Sequence, residues 1–206
     1  PAANAMDDLV GRIALYPDDL VAVILPASTS PLQIVQADRW LEKRKSDPKL
    51  AIDDKWDDAV KTLLNYPEVV KMMSNDLDCT SALGEAVVAD QGAVMDGVQS
   101  FRRRAQAAGN LKSDEHQVVA LEAAPPPPQV IVVNAPPPPT QIIVIAPANP
   151  QVVFVPIFNP VWAFGPWWHP AFPPFFFPPP PRWGWGWSSA ARAGFWWGVG
   201  IGVSHS

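Results

Sequence analysis

At 206 residues and a formal net charge of −5, the chain has room for one conventional domain and an appendage, and it lacks the basic footprint that nucleic-acid binding requires. Its single cysteine, Cys79, excludes an intramolecular disulfide and a Cys-rich metal site. The overall charge hides an asymmetry: all 20 Asp and Glu lie at or before Glu122, and after it the only charged side chains are Arg182 and Arg192.

The acidic part reads as helical over residues 4–109. Met6, Leu9, Val10 and Ile13 form one apolar stripe at helical spacing. Pro17 begins a second helix from a first-turn position, with Asp18 and Asp19 at its positive end, and Pro26 ends or kinks it. Ser30-Pro31 is an N-cap followed by a first-turn proline, opening a helix through Trp40 and Leu41. Lys43 to Lys49 is a charged loop, and Trp56, Val60, Leu63 and Leu64 make the next stripe. Tyr66-Pro67-Glu68 restarts the chain as Tyr16-Pro17-Asp18 does, an echo of helix starts rather than a duplicated domain.

The longest helical stretch runs from Leu77 past Gln91, continues through Val94, Val98, Phe101 and Ala105, and stops at Gly109-Asn110. Gly92 and Gly97 weaken it by roughly 1 kcal/mol each against Ala. Cys79 falls within its pattern as a small buried hydrophobe. The Arg102-Arg103-Arg104 run reads as a solvated face near a helix C-terminus. Five or six helices make a mainly α fold, with a compact acidic all-α domain over residues 1–112.

From Gln117 the pattern changes. Val118 to Leu121 looks like a strand, and an 11-residue period then appears three times, beginning at Ala124, Ala135 and Ala146. Each unit is a Pro-rich connector followed by a β-branched strand, so residues 113–156 read as Pro-linked short strands. Strands this apolar need cover on both faces, from a partner, the helical domain or neighbouring copies.

Residues 157–187 alternate proline with aromatics, which forbids a continuous helix and an interior strand and leaves an extended path. Residues 154–197 hold eight Trp and eight Phe. At roughly 200 Å² each, these rings would hide about 3,000 Å², so a free, dissolved tail is not expected. Residues 188–206 form a hydrophobic segment in which Gly186, Ala190, Gly194, Gly198 and Gly202 fall four apart, a small-residue stripe if the segment is helical. Trp183 to Val203 is long enough to cross a bilayer, yet Arg192 sits near its centre and Trp183-Gly184-Trp185-Gly186-Trp187 suits an interfacial belt or strand alternation. Seating in a membrane, burial in a protein assembly and aggregation-prone disorder are the three readings. The residues expected to make the contact are Phe154, Phe158, Trp162, Phe164, Trp167, Trp168, Phe172, Phe175, Phe176, Phe177, Trp183, Trp185, Trp187, Gly194, Trp196, Trp197, Gly198 and Gly202.

Several blocks resemble the bacterial domain of unknown function 3300 family. They are Leu9 to Trp40, Tyr66 to Asp78, Val94 to Leu111, and the strand-like block Pro147 to Pro156 that precedes a Pro–aromatic tail. The chain departs from the family pattern at Cys79, where a Trp is usual, and in its doubled Pro-Pro-Pro-Pro units. The resemblance implies an exported protein of a Gram-negative bacterium, placed in the periplasm, outer membrane or cell surface, and it brings no activity with it. The opening Pro1-Ala2-Ala3 suits a processed exported protein or a trimmed one.

No catalytic constellation stands out. His116, His169 and His205 lie in linker, tail and terminus, and Asp53-Asp54-Lys55-Trp56-Asp57-Asp58 lacks the glycine and spacing of a calcium loop, so it reads as an acidic helix start. No cofactor or metal is expected. The expected role is a non-enzymatic structural subunit of an envelope assembly, with other copies or envelope proteins as partners. A membrane-anchored protein, or a module offering Pro-rich ligands or stacking Trp on glycans, is the alternative.

Overall fold

The computed structural model describes residues 6, 9–124, 141–158, 195–197 and 201–202. The fold is mainly α with short strands. Met6, Leu9 and Val10 are helical, and the helices described from end to end are α1 (Asp18–Ser28), α2 (Pro31–Arg44), α3 (Asp58–Leu63), α4 (Pro67–Asn75) and α5 (Leu77–Ala107). Before α1, Met6, Leu9, Val10 and Ile13 are all buried, as their spacing requires.

The helix starts follow local chemistry. Pro31 and Pro67 occupy the first turns of α2 and α4, where a missing N–H costs nothing. Pro17 sits one residue further out, at the cap of α1, and Pro26 does not end that helix, which continues to Ser28. Asp57 caps α3 by accepting from the Ala59 N–H at 2.8 Å, and Asp53 accepts from the Lys55 N–H at 3.0 Å. Asp53 and Asp57 of the acidic cluster therefore serve the backbone, and Asp58 pairs with Lys61. Trp40 and Trp56 meet edge to face at 6.4 Å, and Trp56 donates to Gln36 Oε1 at 3.1 Å, which fixes α3 on α2.

Helix α5 is broken. Asp90 has extended backbone (φ −161°, ψ 90°), and its carboxylate accepts from the Ala93 N–H at 2.9 Å, so it acts as the cap of a second helical segment. In the first segment Gly84 lies against the end of α1, and a Cβ there would come within 2.7 Å of the Ser28 carbonyl carbon. At the far end Gly109 takes φ +76°, and Asn110 and Leu111 both donate to the Ala105 carbonyl, closing the helix as expected.

Strand β1 (Gln117–Ala123) pairs antiparallel with β2 (Gln141–Pro147), in a register that sets Val119 against Ile145 and Leu121 against Ile143. Ile143 and Ile145 are buried in the same core as the helices, together with Val153 and Val155. The helical domain thus supplies cover for one face of β2, and packing runs continuously across the expected boundary at residue 112. Two further antiparallel ladders join β3 (Val152–Val153) to β6 (Ile201–Gly202) and β4 (Pro156–Phe158) to β5 (Phe195–Trp197). At 195–197 and 201–202 the backbone is therefore strand; Gly186, Ala190, Gly194 and Gly198 of the small-residue stripe lie outside the described residues. Among the described residues no single helix is long and apolar enough to cross a membrane.

Candidate functional site

The region that ties the strands to the helices is built around Arg102. Its Nε donates to the Ala14 carbonyl at 2.8 Å, one terminal nitrogen to the Ile143 carbonyl at 2.7 Å, and the other to the Tyr16 carbonyl at 3.0 Å. It also pairs with Asp18 Oδ1 at 2.5 Å. Arg102 is 1% exposed, so the expectation of a solvated arginine run is corrected: only Arg103 of the three is exposed. Burial pulls the guanidinium below its ordinary value, and the Asp18 carboxylate opposes that shift. Guanidinium suits the place because its planar fork satisfies several carbonyls at once while staying charged.

Gln99, one helical turn earlier, completes the grip. Its side-chain amide donates to the Ile143 carbonyl at 3.0 Å and accepts from the Ile143 N–H at 2.8 Å, as a neighbouring strand would. The rim of β2 facing away from β1 is closed there. Ser113 does the same on the outer rim of β1: its hydroxyl accepts from the Val119 N–H at 2.8 Å and donates to the Val119 carbonyl at 3.2 Å. Asp114 takes up Gln117 through its carboxylate and its own N–H, at 3.0 and 2.9 Å.

A second polar site holds the start of α5. Arg12 donates to Asp76 Oδ2 at 2.6 Å, while Asp76 Oδ1 caps the helix by accepting from the Cys79 N–H at 3.1 Å. Burial raises the Asp76 pKa, but the Cys79 N–H and Arg12 outweigh it and hold the carboxyl below its ordinary value. Cys79 is buried, as its place in the helical pattern implies. Tyr16 is buried too; burial and nearby Glu68 push its phenol up, and its hydroxyl rests on Met72 Sδ at 3.7 Å.

Of the contact residues expected from sequence, Phe154 stands edge-on to His116 at 4.6 Å. Phe158 is the register partner of Phe195, Trp196 and Trp197 lie in β5 opposite Ile157 and Pro156, and Gly202 is opposite Val152. Trp162, Phe164, Trp167, Trp168, Phe172, Phe175, Phe176, Phe177, Trp183, Trp185, Trp187, Gly194 and Gly198 lie outside the described residues. The structure brings the two ends of the aromatic segment together. Gln99 and Ser113, which fix the strands β2 and β1, carry no sequence signal of that role, and Arg102 reads from sequence as part of a solvated run. Arg102 carried a signal nonetheless, since it lies four residues after Val98 and three before Ala105 in the buried stripe. Among the described residues no three His, Cys, Asp or Glu gather as a metal site.

These features define a helical domain with a strand ribbon sutured to it. The chain belongs to a family of proteins of unknown function, DUF3300, whose model matches residues 2–206. It is similar to the Escherichia coli (strain K12) protein described as "Uncharacterized protein YacH", 34% identical over 221 residues, covering 98% of this chain and 36% of that protein. The chain thus spans about a third of that relative's length. No solved structure matches it.

Proposed function

We propose that this chain is a non-enzymatic structural or scaffolding subunit of a bacterial envelope-associated assembly, attached through its Pro–aromatic segment to other copies, to envelope proteins or to a membrane. The observation that carries this reading is the division of labour in the chain. The helical domain buries its own Trp40, Trp56 and Phe101, whereas eight Trp and eight Phe are collected in residues 154–197, a stretch that starts from a strand fixed to that domain. So much aromatic surface is stable only when covered. An exported, periplasmic or outer-membrane setting is part of the proposal, and no nucleic-acid partner is.

The test compares the full chain with a variant in which residues 159–194 are replaced by Asn-Gly, a turn that joins Phe158 to Phe195 directly and keeps both ladders. Mass is measured by light scattering without detergent. The full chain forms defined oligomers and the variant is a monomer. A full chain that is monomeric in water sinks the assembly reading. A full chain of small mass that dissolves only with detergent or lipid replaces it with the membrane-anchored alternative.

A further inference from the structure

We infer that the Pro–aromatic segment is an insertion rather than a terminal tail, with β5 and β6 acting as a clasp that returns the chain to the helical domain. The inference goes beyond the scaffold reading, because it concerns how the segment is mounted and not what it meets. It rests on the backbone order of two ladders. The outgoing stretch runs Val152, Val153, then Pro156, Ile157, Phe158, and the returning stretch meets it in reverse: Ile201–Gly202 against Val152–Val153, and Phe195–Trp197 against Pro156–Phe158. Reverse order across both ladders is the pattern of one hairpin-like pairing. The registers differ by one residue, with two residues between the ladders on the outgoing side and three on the returning side, the count of a β-bulge.

The outgoing stretch is itself held down. Val153 and Val155 lie in the helical core, the Val152 N–H donates to the Asn149 carbonyl at 3.0 Å, and Phe154 packs on His116. The returning strands therefore pair with a stretch already fixed to the domain. Residues 158 and 195 face each other, so the segment between them leaves and re-enters at one place. Residue 202, paired with Val152, stays beside the domain. A topology that carries residue 202 across a bilayer requires the ladders to open.

Paired cysteines test this in the full chain, in a Cys79→Ala background. Val153→Cys with Ile201→Cys, and separately Ile157→Cys with Trp196→Cys, place thiols on register partners whose Cα spacing suits a disulfide. Ile157→Cys with Ile201→Cys is the mismatched control, and a specific protease site follows Pro181. The matched pairs oxidise about tenfold faster than the control, since the partner thiol is held at high local concentration. The two cut fragments then run together on a denaturing gel until reduced. Matched pairs no faster than the control overturn the clasp, and so do disulfides that link two copies. Helical circular dichroism confirms that each variant is folded, and a second matched pair guards against failure of the first. Because the readout is intramolecular, it stands whether or not the full chain proves to be an oligomer.

Discussion

Arg102 holds groups from four places at once: the carbonyls of Ala14, Tyr16 and Ile143 and the carboxylate of Asp18. Replacement by lysine keeps the charge but loses the fork: one ammonium cannot reach the Ala14, Tyr16 and Ile143 carbonyls and the Asp18 carboxylate together, although Gln99 still serves Ile143. Arg102→Lys is expected to cost about 2–4 kcal/mol in urea unfolding, and Arg102→Met about as much or more because it removes every donor from the Ala14 and Tyr16 carbonyls. Equal stability of Arg102→Lys and the parent would show that the fork is dispensable. Asp76 gives a pH signature. Its carboxyl is held below the ordinary value of 3.8, so its contribution is complete above that value and is lost as pH falls through the lower folded value. Stability therefore declines in the acid range below about pH 4, and Asp76→Asn flattens that part of the profile. At neutral pH the same variant loses about 1–3 kcal/mol, because Arg12 gives up its charge-assisted bond to the Asp76 carboxylate while the amide oxygen still caps the helix. An unchanged acid limb in Asp76→Asn would assign the pH dependence elsewhere.

At the scale of elements, the contact between α1 and α5 depends on the absence of a side chain. Gly84 lets the two backbones meet at Ser28, and the atoms in the way of a Cβ are backbone atoms that cannot rotate aside. Gly84→Ala would gain helix propensity of roughly 1 kcal/mol in isolation, yet it is expected to destabilise by about 2–3 kcal/mol as the helices are forced apart. Thermal unfolding decides the sign, and a rise in midpoint would refute the close-packing account. The break at Asp90 shows the same priority of local chemistry over length: a carboxylate able to cap, followed by Gln91-Gly92, divides what periodicity reads as one helix.

Across the whole molecule, the elements legible in the sequence are those whose signals are local. Proline at helix starts, the stripes at Met6–Ile13 and Val94–Ala105, the Gly109 stop and the Val118–Leu121 strand all depend on neighbours a few residues away. The suture and the clasp depend on contacts far apart in sequence. Arg102 in a triple-arginine run looks like surface until Ile143 arrives to meet it. The returning strands carried two competing periods: Val199, Ile201 and Val203 alternate with Gly200 and Gly202 as a strand does, while the glycines also repeat every four residues. The alternation marks the observed pairing at Ile201–Gly202, with a partner some fifty residues back that no local rule identifies.

The plugs on the β1–β2 ribbon have a consequence for how copies of this protein avoid one another. An exposed ribbon rich in Val and Ile is a template for runaway stacking into fibres. Here Gln99 caps one rim at Ile143, and Ser113 and Asp114 cap the other at Val119 and Gln117. What they leave on the β1 rim is the short stretch from Leu121 to Ala123, too little for a long cross-strand ladder. A ribbon rich in Val and Ile is thereby left with few free backbone groups at which cross-strand stacking could start.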